Sequence, residues 1–202
     1  MVNWDFKDNS GIDDLIKLFI EENDYGECSN GNLVIGIDGM CGSGKTSLAD
    51  YIANKYEASV IHMDDFFLPS ELRTEERLSM PGGNVHYERF IEEVGRFIGI
   101  RGSGISYRRF NCSLMDYDSE KIKIKPSKIF IVEGSYSMRP ELCGYYDMKI
   151  FMKCEKKIQE SRIIARNGKA KYEMFRTKWI PMEEKYFSEL NVEGKADYII
   201  FT

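Results

Sequence analysis

The amino-acid sequence predicts an open α/β fold in which helices cover a parallel β-sheet. Five short apolar runs have the length and composition of buried parallel strands. They are residues 33–37, 59–63, 129–132, 148–152 and 198–201. Segments with apolar residues at helical spacing lie between these runs, for example across residues 87–98. Because strand and helix alternate along the chain, we expect a single open sheet with ligands bound at the carboxyl ends of its strands.

Length and composition predict one domain over residues 1–202. The 202 residues are 43% hydrophobic, which is enough to bury one substantial core, and neither repeats nor long linkers divide the chain. The formal net charge is -5. A chain without a global positive field is a poor partner for nucleic acid, so we expect none, although a small anionic ligand could still bind at a local site.

The cysteines and the apolar runs predict a cytoplasmic protein. The five cysteines are scattered and lack zinc-ligand spacing, so we expect reduced thiols. They are Cys28, Cys41, Cys112, Cys143 and Cys154. The chain starts without the basic and then apolar pattern of a signal peptide, and no run approaches the ~20 apolar residues of a membrane span. We therefore expect a soluble, unprocessed protein without a membrane partner, and the sequence leaves open whether it forms a homo-oligomer.

The first segment, residues 1–30, is predicted to be an N-terminal helical extension. Ser10 and Asp13 form an S-x-x-D helix start signal. Apolar residues then recur at helical spacing, at Ile12, Leu15, Ile16 and Phe19. This pattern is typical of a short amphipathic helix.

The turn after the first apolar run carries the strongest motif in the sequence. Residues 39–46 read GMCGSGKT and satisfy the Walker A pattern G-x-x-x-x-G-K-[ST]. A strand pattern precedes the motif and a helical pattern follows it, which favours a phosphate-binding loop over a plain Gly-rich turn. The predicted ATP site comprises Gly39, Met40, Cys41, Gly42, Ser43, Gly44, Lys45, Thr46 and Ser47.

Each part of this motif has a chemical role. The glycines let the backbone curl with its N–H groups around phosphate oxygens. Lys45 would reach the β- and γ-phosphates, Thr46 would offer its hydroxyl to Mg²⁺, and the start of the helix adds its positive dipole end. The motif does not decide between ATP and GTP.

The second apolar run ends in two carboxylates, Asp64 and Asp65, followed by Phe66 and Phe67. If this strand lies near the first one, a carboxylate beside the loop can accept a proton from an attacking hydroxyl. The alternative is that both acids cap the next segment or face solvent. For His62, just before them, a packed or hydrogen-bonded role is favoured over catalysis.

The third apolar run closes on Glu133, where a Walker B acid would lie. Such an acid holds Mg²⁺ opposite the loop threonine, because Mg²⁺ prefers hard oxygen ligands. Glu133 and Thr46 are therefore the predicted metal ligands. The alternative is that Glu133 caps the turn into Gly134.

Basic residues after the fourth run predict a lid over about residues 155–171. Arg162 and Arg166 lie one helical turn apart and suit a clamp on phosphate, and Asn167-Gly168 supplies a helix stop and a hinge. Such a segment would close over the nucleotide and exclude water. The alternative is an ordinary solvated helix face.

Taken together, these motifs resemble the uridine kinase family of P-loop nucleoside kinases, which is close to the nicotinamide riboside kinases and phosphoribulokinases. The matching segments are IGIDGMCGSGKTSLA, HMDDFFLP, IFIVEGSYS, RIIARNG and WIPMEEKYF, and they cover most of the chain beyond residue 30. The resemblance implies a P-loop NTPase fold, a three-layer α/β/α sandwich with a five-stranded parallel sheet and a helical lid. It also implies an ATP- and Mg²⁺-dependent kinase of nucleoside salvage that phosphorylates a small-molecule acceptor.

By the same resemblance, Asp64 would be the base that contacts the sugar hydroxyl, and Phe67 would line the nucleoside pocket. Glu133 corresponds to the acid that helps to hold Mg²⁺. Arg162 and Arg166 correspond to lid arginines, of which at least one contacts phosphate or ribose.

The acceptor side departs from the family pattern. The family's N-F-D-x-P segment, whose acid binds ribose hydroxyls, is replaced by a segment with His86 in the place of the acid. The family's base-reading histidine is missing after the aromatic segment around Phe110. Pyrimidine recognition is therefore not carried over. We expect Phe110 to stack on a flat ring and either His86 or Glu88 to meet a diol.

Three other functions stay open. The chain could be a kinase for another small alcohol, such as a different riboside or a vitamin precursor. It could be a P-loop ATPase or nucleotide switch, in which the phosphate goes to water. An interaction protein with an inactive P-loop is disfavoured, because Lys45, Thr46, Asp64 and Glu133 are all present.

Overall fold

In a computed structural model, the chain forms a parallel sheet with helices on both faces. The structure describes residues 2–4, 8–23 and 31–202. The strands are β1 (Val2–Asn3), β2 (Leu33–Gly39), β3 (Ser59–His62), β4 (Ile105–Asn111), β5 (Asp116–Ile124), β6 (Ile129–Glu133), β7 (Met148–Lys153) and β8 (Tyr198–Phe201). The five predicted strands are β2, β3, β6, β7 and β8. The two-residue β1 adds a sixth strand at one edge of the sheet.

The strand order explains which loops meet. It is β1-β8-β7-β2-β6-β3, and all neighbours are parallel. The central strand β2 lies between β7 and β6, so β6 separates it from β3. At the usual spacing between strands, β3 is about 10 Å from β2. The loops after β2, β6 and β3 therefore open side by side at one edge of the sheet.

The helices are α1 (Ser10–Glu22), α2 (Lys45–Tyr56), α3 (Glu75–Ser79), α4 (Tyr87–Phe90), α5 (Arg96–Ile98), α6 (Lys156–Asn167), α7 (Lys169–Met174) and α8 (Ile180–Glu189). A π-helical segment, Ile91–Gly95, joins α4 to α5, as the helical spacing over residues 87–98 predicts. A second one, Phe175–Trp179, joins α7 to α8. A short 3-10 helix, Met63–Phe66, follows β3.

Alternating side chains of the sheet build the two cores. Ile35 and Ile37 of β2 pack with α1 and α2 on one face, whereas Val34 packs on the other face with the helix formed by α4 and α5 and with α8. Successive side chains of a strand point to opposite faces, so one central strand serves both cores. These layers confirm the predicted three-layer α/β/α sandwich.

The N-terminal helix is part of the core rather than an appendage. It begins at Ser10, as predicted, and its Ile12 and Ile16 are at most 1% exposed. The carboxylate of Asp13 accepts a hydrogen bond from Tyr51 Oη (2.6 Å) and also pairs with Lys55 on α2. The rest of the predicted extension, at residues 1, 5–7 and 24–30, lies outside the described residues.

The described cysteines, Cys41, Cys112, Cys143 and Cys154, are free thiols. Cys28 lies outside the described residues. No helix in the described ranges is long and apolar enough to cross a membrane.

An antiparallel hairpin of β4 and β5 was not predicted as strands. It lies against the 3-10 helix after β3, where the rings of Phe66 and Tyr107 are 4.8 Å apart between centroids. The alternation of Ile122 and Ile124 with lysines is the strand signal that could have revealed it. Because the hairpin carries Phe110, it brings one wall of the cleft described below beside Asp64.

Candidate active site

A cleft of about 870 Å³ lies at the carboxyl ends of the strands. Its floor is formed by the P-loop, the turn between β2 and α2. Six of the nine predicted residues line it: Cys41, Gly42, Gly44, Lys45, Thr46 and Ser47. Gly39, Met40 and Ser43 are absent from the lining. Gly39 joins the loop to β2, where a Cβ would lie 2.1 Å from Met152 O, so this close approach of β7 requires glycine.

The loop has the form of an anion cradle. Gly44 adopts a φ of 96° and turns the chain into α2, whose first residue is Lys45. The N–H groups of Gly42, Gly44, Lys45 and Thr46 have no hydrogen-bond acceptor within the described chain. Unpaired N–H groups at the start of a helix, combined with its dipole, suit a phosphate.

Lys45 is buried under the loop. Its Nζ donates hydrogen bonds to the carbonyls of Gly39 (2.7 Å) and Met40 (3.0 Å), and the residue is only 8% exposed. The ammonium is thereby held beside the cradle. To reach a phosphate it would exchange these carbonyl partners for phosphate oxygens, which carry a full negative charge.

Glu183, which was not predicted from the sequence, accepts a hydrogen bond from one N–H group of the loop. Its Oε2 accepts a hydrogen bond from Cys41 N (2.9 Å), and its Oε1 accepts one from Ser135 Oγ (2.6 Å). The side chain comes from α8, is 5% exposed and lines the cleft. It ties the C-terminal helix to the P-loop across 142 residues of sequence. No local sequence pattern identifies such a contact.

The predicted metal ligands lie next to each other. Thr46 Oγ1 is 3.3 Å from Glu133 Oε2, and both residues line the cleft. The other oxygen of Glu133 is 2.5 Å from His62 Nδ1, and this hydrogen bond raises the pKa of His62. His62 thus has a hydrogen-bonded position, the kind of role that the sequence favours for it.

The two neighbouring aspartates differ in their surroundings. Asp65 Oδ2 accepts a hydrogen bond from Tyr107 Oη (3.1 Å), and its carbonyl accepts one from Arg89 Nη2 (2.5 Å). Asp64, in contrast, is exposed within the cleft, and its carboxylate has no hydrogen bond in the described part of the chain. Of the two aspartates, Asp64 is the one whose carboxylate opens into the cleft.

The environment of Asp64 raises its pKa to about 6. Although the side chain opens into the cleft, protein surrounds it at the base of the cleft, and this desolvation is the main cause. The negative charge of Glu133 adds to the shift, and Lys45 opposes it. A carboxylate with a pKa near 6 is a better proton acceptor than an ordinary aspartate and is still ionised at pH 7.

Aromatic and polar side chains form the wall opposite the P-loop. Phe67 and Phe110 both line the cleft, with their rings edge to face at 6.0 Å between centroids. Asn84, Tyr136 and Arg73 lie in the same wall and were not singled out from the sequence. His86 does not line the cleft. Its Nδ1 is instead hydrogen-bonded to Tyr117 Oη at 2.7 Å. The acceptor role assigned to His86 therefore lacks a geometric basis.

The predicted lid is only partly free of the P-loop. Arg162 Nη1 donates to Gly42 O (3.2 Å), and Gln159 Nε2 donates to Cys41 O (2.9 Å), so α6 is docked on the loop. Gly168, with a φ of 83°, ends α6 as predicted. Arg166 lines the cleft, and the covering segment extends past residue 171 to include Phe175, Lys178 and Trp179.

The fold and the P-loop together place the chain in one structural class, the proteins with a P-loop kinase fold. No family model matches the chain. A solved structure described as a possible uridine kinase from Bacillus stearothermophilus superposes with a TM-score of 0.65 at 18% identity, over 94% of this chain and 99% of that one. The D-glycerate 3-kinase of Cryptococcus neoformans gives a TM-score of 0.62 at 14% identity, over 87% of each chain. The predicted fold is confirmed.

Within that class, the sequence is similar to a uridine kinase of Clostridium botulinum, with 27% identity over 144 residues, 67% of this chain and 68% of that protein. The predicted resemblance to the uridine kinase family is thereby confirmed. The chain is also 27% identical over 126 residues, 59% of its length, to the tRNA-specific adenosine deaminase subunit tad2 of Schizosaccharomyces pombe, but this match spans only 29% of that protein.

Proposed function

We propose that the chain transfers the γ-phosphate of ATP to a hydroxyl of a small, nucleoside-like acceptor. The observation that carries this proposal is the position of Asp64. It is the open carboxylate of the Asp64–Asp65 pair, and it faces the same cleft as the P-loop. The aromatic wall with Phe67 and Phe110 lies in that cleft as well. Donor cradle, proton acceptor and ring-binding surface are the three parts that such a transfer needs.

On the donor side, the cradle would bind the triphosphate mainly through backbone N–H groups. Those of Gly42, Gly44, Lys45 and Thr46 point to no acceptor in the described chain and would donate to phosphate oxygens. The side chain of Lys45 would leave its two carbonyls to neutralise charge that develops on the transferring group. Arg166, over the cleft, is positioned to add a second positive charge.

A magnesium ion fits the oxygens beside the cradle. Thr46 Oγ1 and Glu133 Oε2 are both hard ligands and lie 3.3 Å apart, close enough to serve one ion. Mg²⁺ commonly takes only one or two protein oxygens and completes its octahedron with water and phosphate, so the two ligands are sufficient. When bound, the ion would neutralise phosphate charge during transfer.

On the acceptor side, Asp64 would orient the attacking hydroxyl by accepting its hydrogen bond. As the new O–P bond forms, the carboxylate takes the proton, and ADP leaves. The raised pKa of about 6 supports this role, since it brings the base closer to the working pH. Asp65 is not available for it, because Tyr107 and Arg89 hold that residue.

A second candidate acceptor is a small hydroxy acid. Arg73 lines the cleft beside Phe110, with its guanidinium carbon 5.7 Å from the ring centroid, and could bind a carboxylate. The D-glycerate 3-kinase fold matches this chain, and D-glycerate is such an acid. A nucleotide switch or ATPase is less well supported, because neither requires an open carboxylate beside an aromatic wall.

An acceptor screen tests the proposal. The parent protein and an Asp64→Asn variant are incubated with Mg²⁺ and ATP in the presence of uridine, cytidine, nicotinamide riboside or D-glycerate, and ADP release is measured. We expect one riboside to accelerate ADP release by the parent and not by the variant. Equal release with and without every acceptor would instead favour an ATPase.

A further inference from the structure

The wall opposite the P-loop, the acceptor wall, contains a buried polar side chain without a well-formed hydrogen bond. Asn84 is 1% exposed and lines the cleft. Neither its Oδ1 nor its Nδ2 makes a hydrogen bond of good geometry in the described chain. The hydroxyl of Tyr136 is near enough to interact with the amide but does not satisfy it. Most buried side-chain polar atoms are hydrogen-bonded, so an amide whose two polar atoms are both unsatisfied requires an explanation. A ligand that supplies both partners would provide one.

The side chain of Arg77 holds the backbone on either side of Asn84. Arg77 donates hydrogen bonds to the carbonyls of both of its neighbours, from Nε to Gly83 (3.0 Å) and from Nη2 to Val85 (3.0 Å). Arg77 is itself paired with Glu88 through two short contacts of 2.7 and 2.8 Å. Asn84 is therefore fixed through the backbone on both sides, whereas its own side chain makes no well-formed hydrogen bond in the described chain.

The same segment is attached to the chain that carries Asp64. Leu68 N donates to Asn84 O (3.0 Å), and Val85 pairs with Phe67 in an antiparallel bridge. Phe67 follows Asp64 by three residues and lines the cleft. A ligand bound by Asn84 would therefore have a fixed position relative to the segment that begins at Asp64.

The chemistry of the site selects a neutral partner. A carboxamide offers one acceptor and two donors without charge, which matches hydroxyl groups, since each of these both donates and accepts. Tyr136, beside Asn84, is kept neutral, because burial and the nearby charge of Glu183 raise the pKa of its hydroxyl, although its contact with the Asn84 amide opposes this shift. Neither of these two side chains carries a positive charge that would compensate an anion.

We infer that Asn84 determines acceptor specificity by binding one or two hydroxyls of the acceptor other than the one that is phosphorylated. The ligand class is a neutral polyhydroxylated molecule, such as a riboside with its 2′,3′-diol. This inference rests on the proposed kinase function and adds to it the residue that reads the acceptor.

A stability measurement separates this role from a structural one. In Asn84→Leu, an apolar side chain of similar shape replaces an amide that makes no well-formed hydrogen bond in the described chain, so the unfolding temperature should stay the same or rise. The matched control is Asn32→Leu. Asn32 is a buried asparagine whose Nδ2 donates to the carbonyls of Ile98 (2.9 Å) and Ile100 (3.1 Å), so its loss should lower the unfolding temperature by several degrees. A comparable drop in Asn84→Leu would overturn the inference.

Deoxy analogues provide the second test. kcat/KM is measured for uridine, 2′-deoxyuridine and 3′-deoxyuridine with the parent and with Asn84→Leu at saturating ATP. The parent should prefer uridine over at least one deoxy analogue by about ten- to a hundredfold, because the analogue leaves the amide unpaired. In Asn84→Leu this preference should collapse to about one, with KM for ATP unchanged. A preference that survives the substitution would overturn the inference.

Failure of the proposed kinase function can be distinguished from failure of the inference about Asn84. If the parent phosphorylates none of these ribosides, the proposed function fails for this class of acceptor. Binding of uridine and 2′-deoxyuridine is then compared by NMR titration in both proteins. A preference for uridine that only the parent possesses would retain the role of Asn84, whereas no preference, or one shared by both proteins, would overturn it.

Discussion

The donor and acceptor halves of the cleft are built in different ways. The proposed donor half is one continuous loop, residues 39–47, which would bind its ligand mostly through backbone N–H groups. The acceptor half combines side chains from separate elements, among them Asp64 after β3, Asn84 before α4, Phe110 on the hairpin and Tyr136 after β6. A backbone cradle depends on local sequence, whereas a wall of side chains depends on how distant elements pack.

This difference has a consequence for function. The cradle can hold a triphosphate in any protein that forms the loop, so it defines the donor but not the reaction. The acceptor wall can change residue by residue on the same scaffold. We therefore expect substitutions in the two halves to affect different measured quantities.

The largest effect is expected for Asp64→Asn. It should lower acceptor-dependent turnover about 10²- to 10⁴-fold, because the amide keeps the shape of the side chain but cannot take the proton. ATP affinity, measured by calorimetry, should be unchanged, since the cradle does not use this side chain. The control is Asp65→Asn, which should act on stability through its bond to Tyr107. If Asp64→Asn transfers phosphate at the parent rate, the division between the halves fails and Asp65 becomes the candidate base.

A slightly smaller loss is expected for Lys45→Ala on the donor side, about 10²- to 10³-fold in turnover, because a charge aimed at the transferring group is removed. Its two hydrogen bonds to loop carbonyls are also lost, so unfolding must be measured alongside activity. Lys55→Ala on the same helix is the control. Lys55 pairs with Asp13 away from the cleft, and turnover should not change. Near-full turnover in folded Lys45→Ala would remove the P-loop lysine from the mechanism.

The pH profile probes the acceptor half without mutation. Because Asp64 must be ionised and its pKa is about 6, kcat/KM for the acceptor should fall about tenfold per pH unit below that value. Asp38, buried behind the loop, also has a pKa raised to about 6, chiefly by burial. Its stabilising contribution is full at low pH and is lost as pH rises through 6, so titration of Asp38 does not unfold the protein in acid and lost activity there is not a loss of stability through this group. Constant activity from pH 7 to 5 would argue against Asp64.

The smallest effect is expected at Glu133, the proposed metal ligand. Glu133→Gln should raise the Mg²⁺ concentration for half-maximal activity several-fold, since the ion prefers charged oxygens, while KM for the acceptor changes little. The substitution also weakens the contact with His62, so His62→Asn serves as the control for that contact. Superimposable Mg²⁺ titrations of the parent and Glu133→Gln would give Glu133 a structural role.

The sheet could be predicted from the sequence because its strands are buried on both faces and read as continuous apolar runs. The hairpin of β4 and β5 escaped prediction, since one face of it is solvated and its residues are largely polar. The two-residue β1 is too short to carry a pattern. The helix α1 was predicted, but its burial against α2 depends on Tyr51 and Asp13, which are 38 residues apart.

The site residues likewise differ in whether local sequence predicts their positions. The P-loop, Asp64 and Glu133 follow strand ends, so their positions could be inferred from the motif and its neighbours. His86 was assigned to the acceptor by its place in the sequence, but its ring is engaged with Tyr117 of the hairpin. Asn84 and Glu183 lack a local signal, because their roles depend on contacts that only the folded chain creates.

The central claim is that the phosphate goes to a bound hydroxyl and not to water, and ³¹P NMR tests it most directly. The parent protein is incubated with Mg²⁺-ATP and the acceptor that gives the fastest ADP release in the screen. We predict that a phosphomonoester resonance grows in step with ADP and that little inorganic phosphate forms. Inorganic phosphate equal to the ADP released, with no phosphomonoester, would contradict the account.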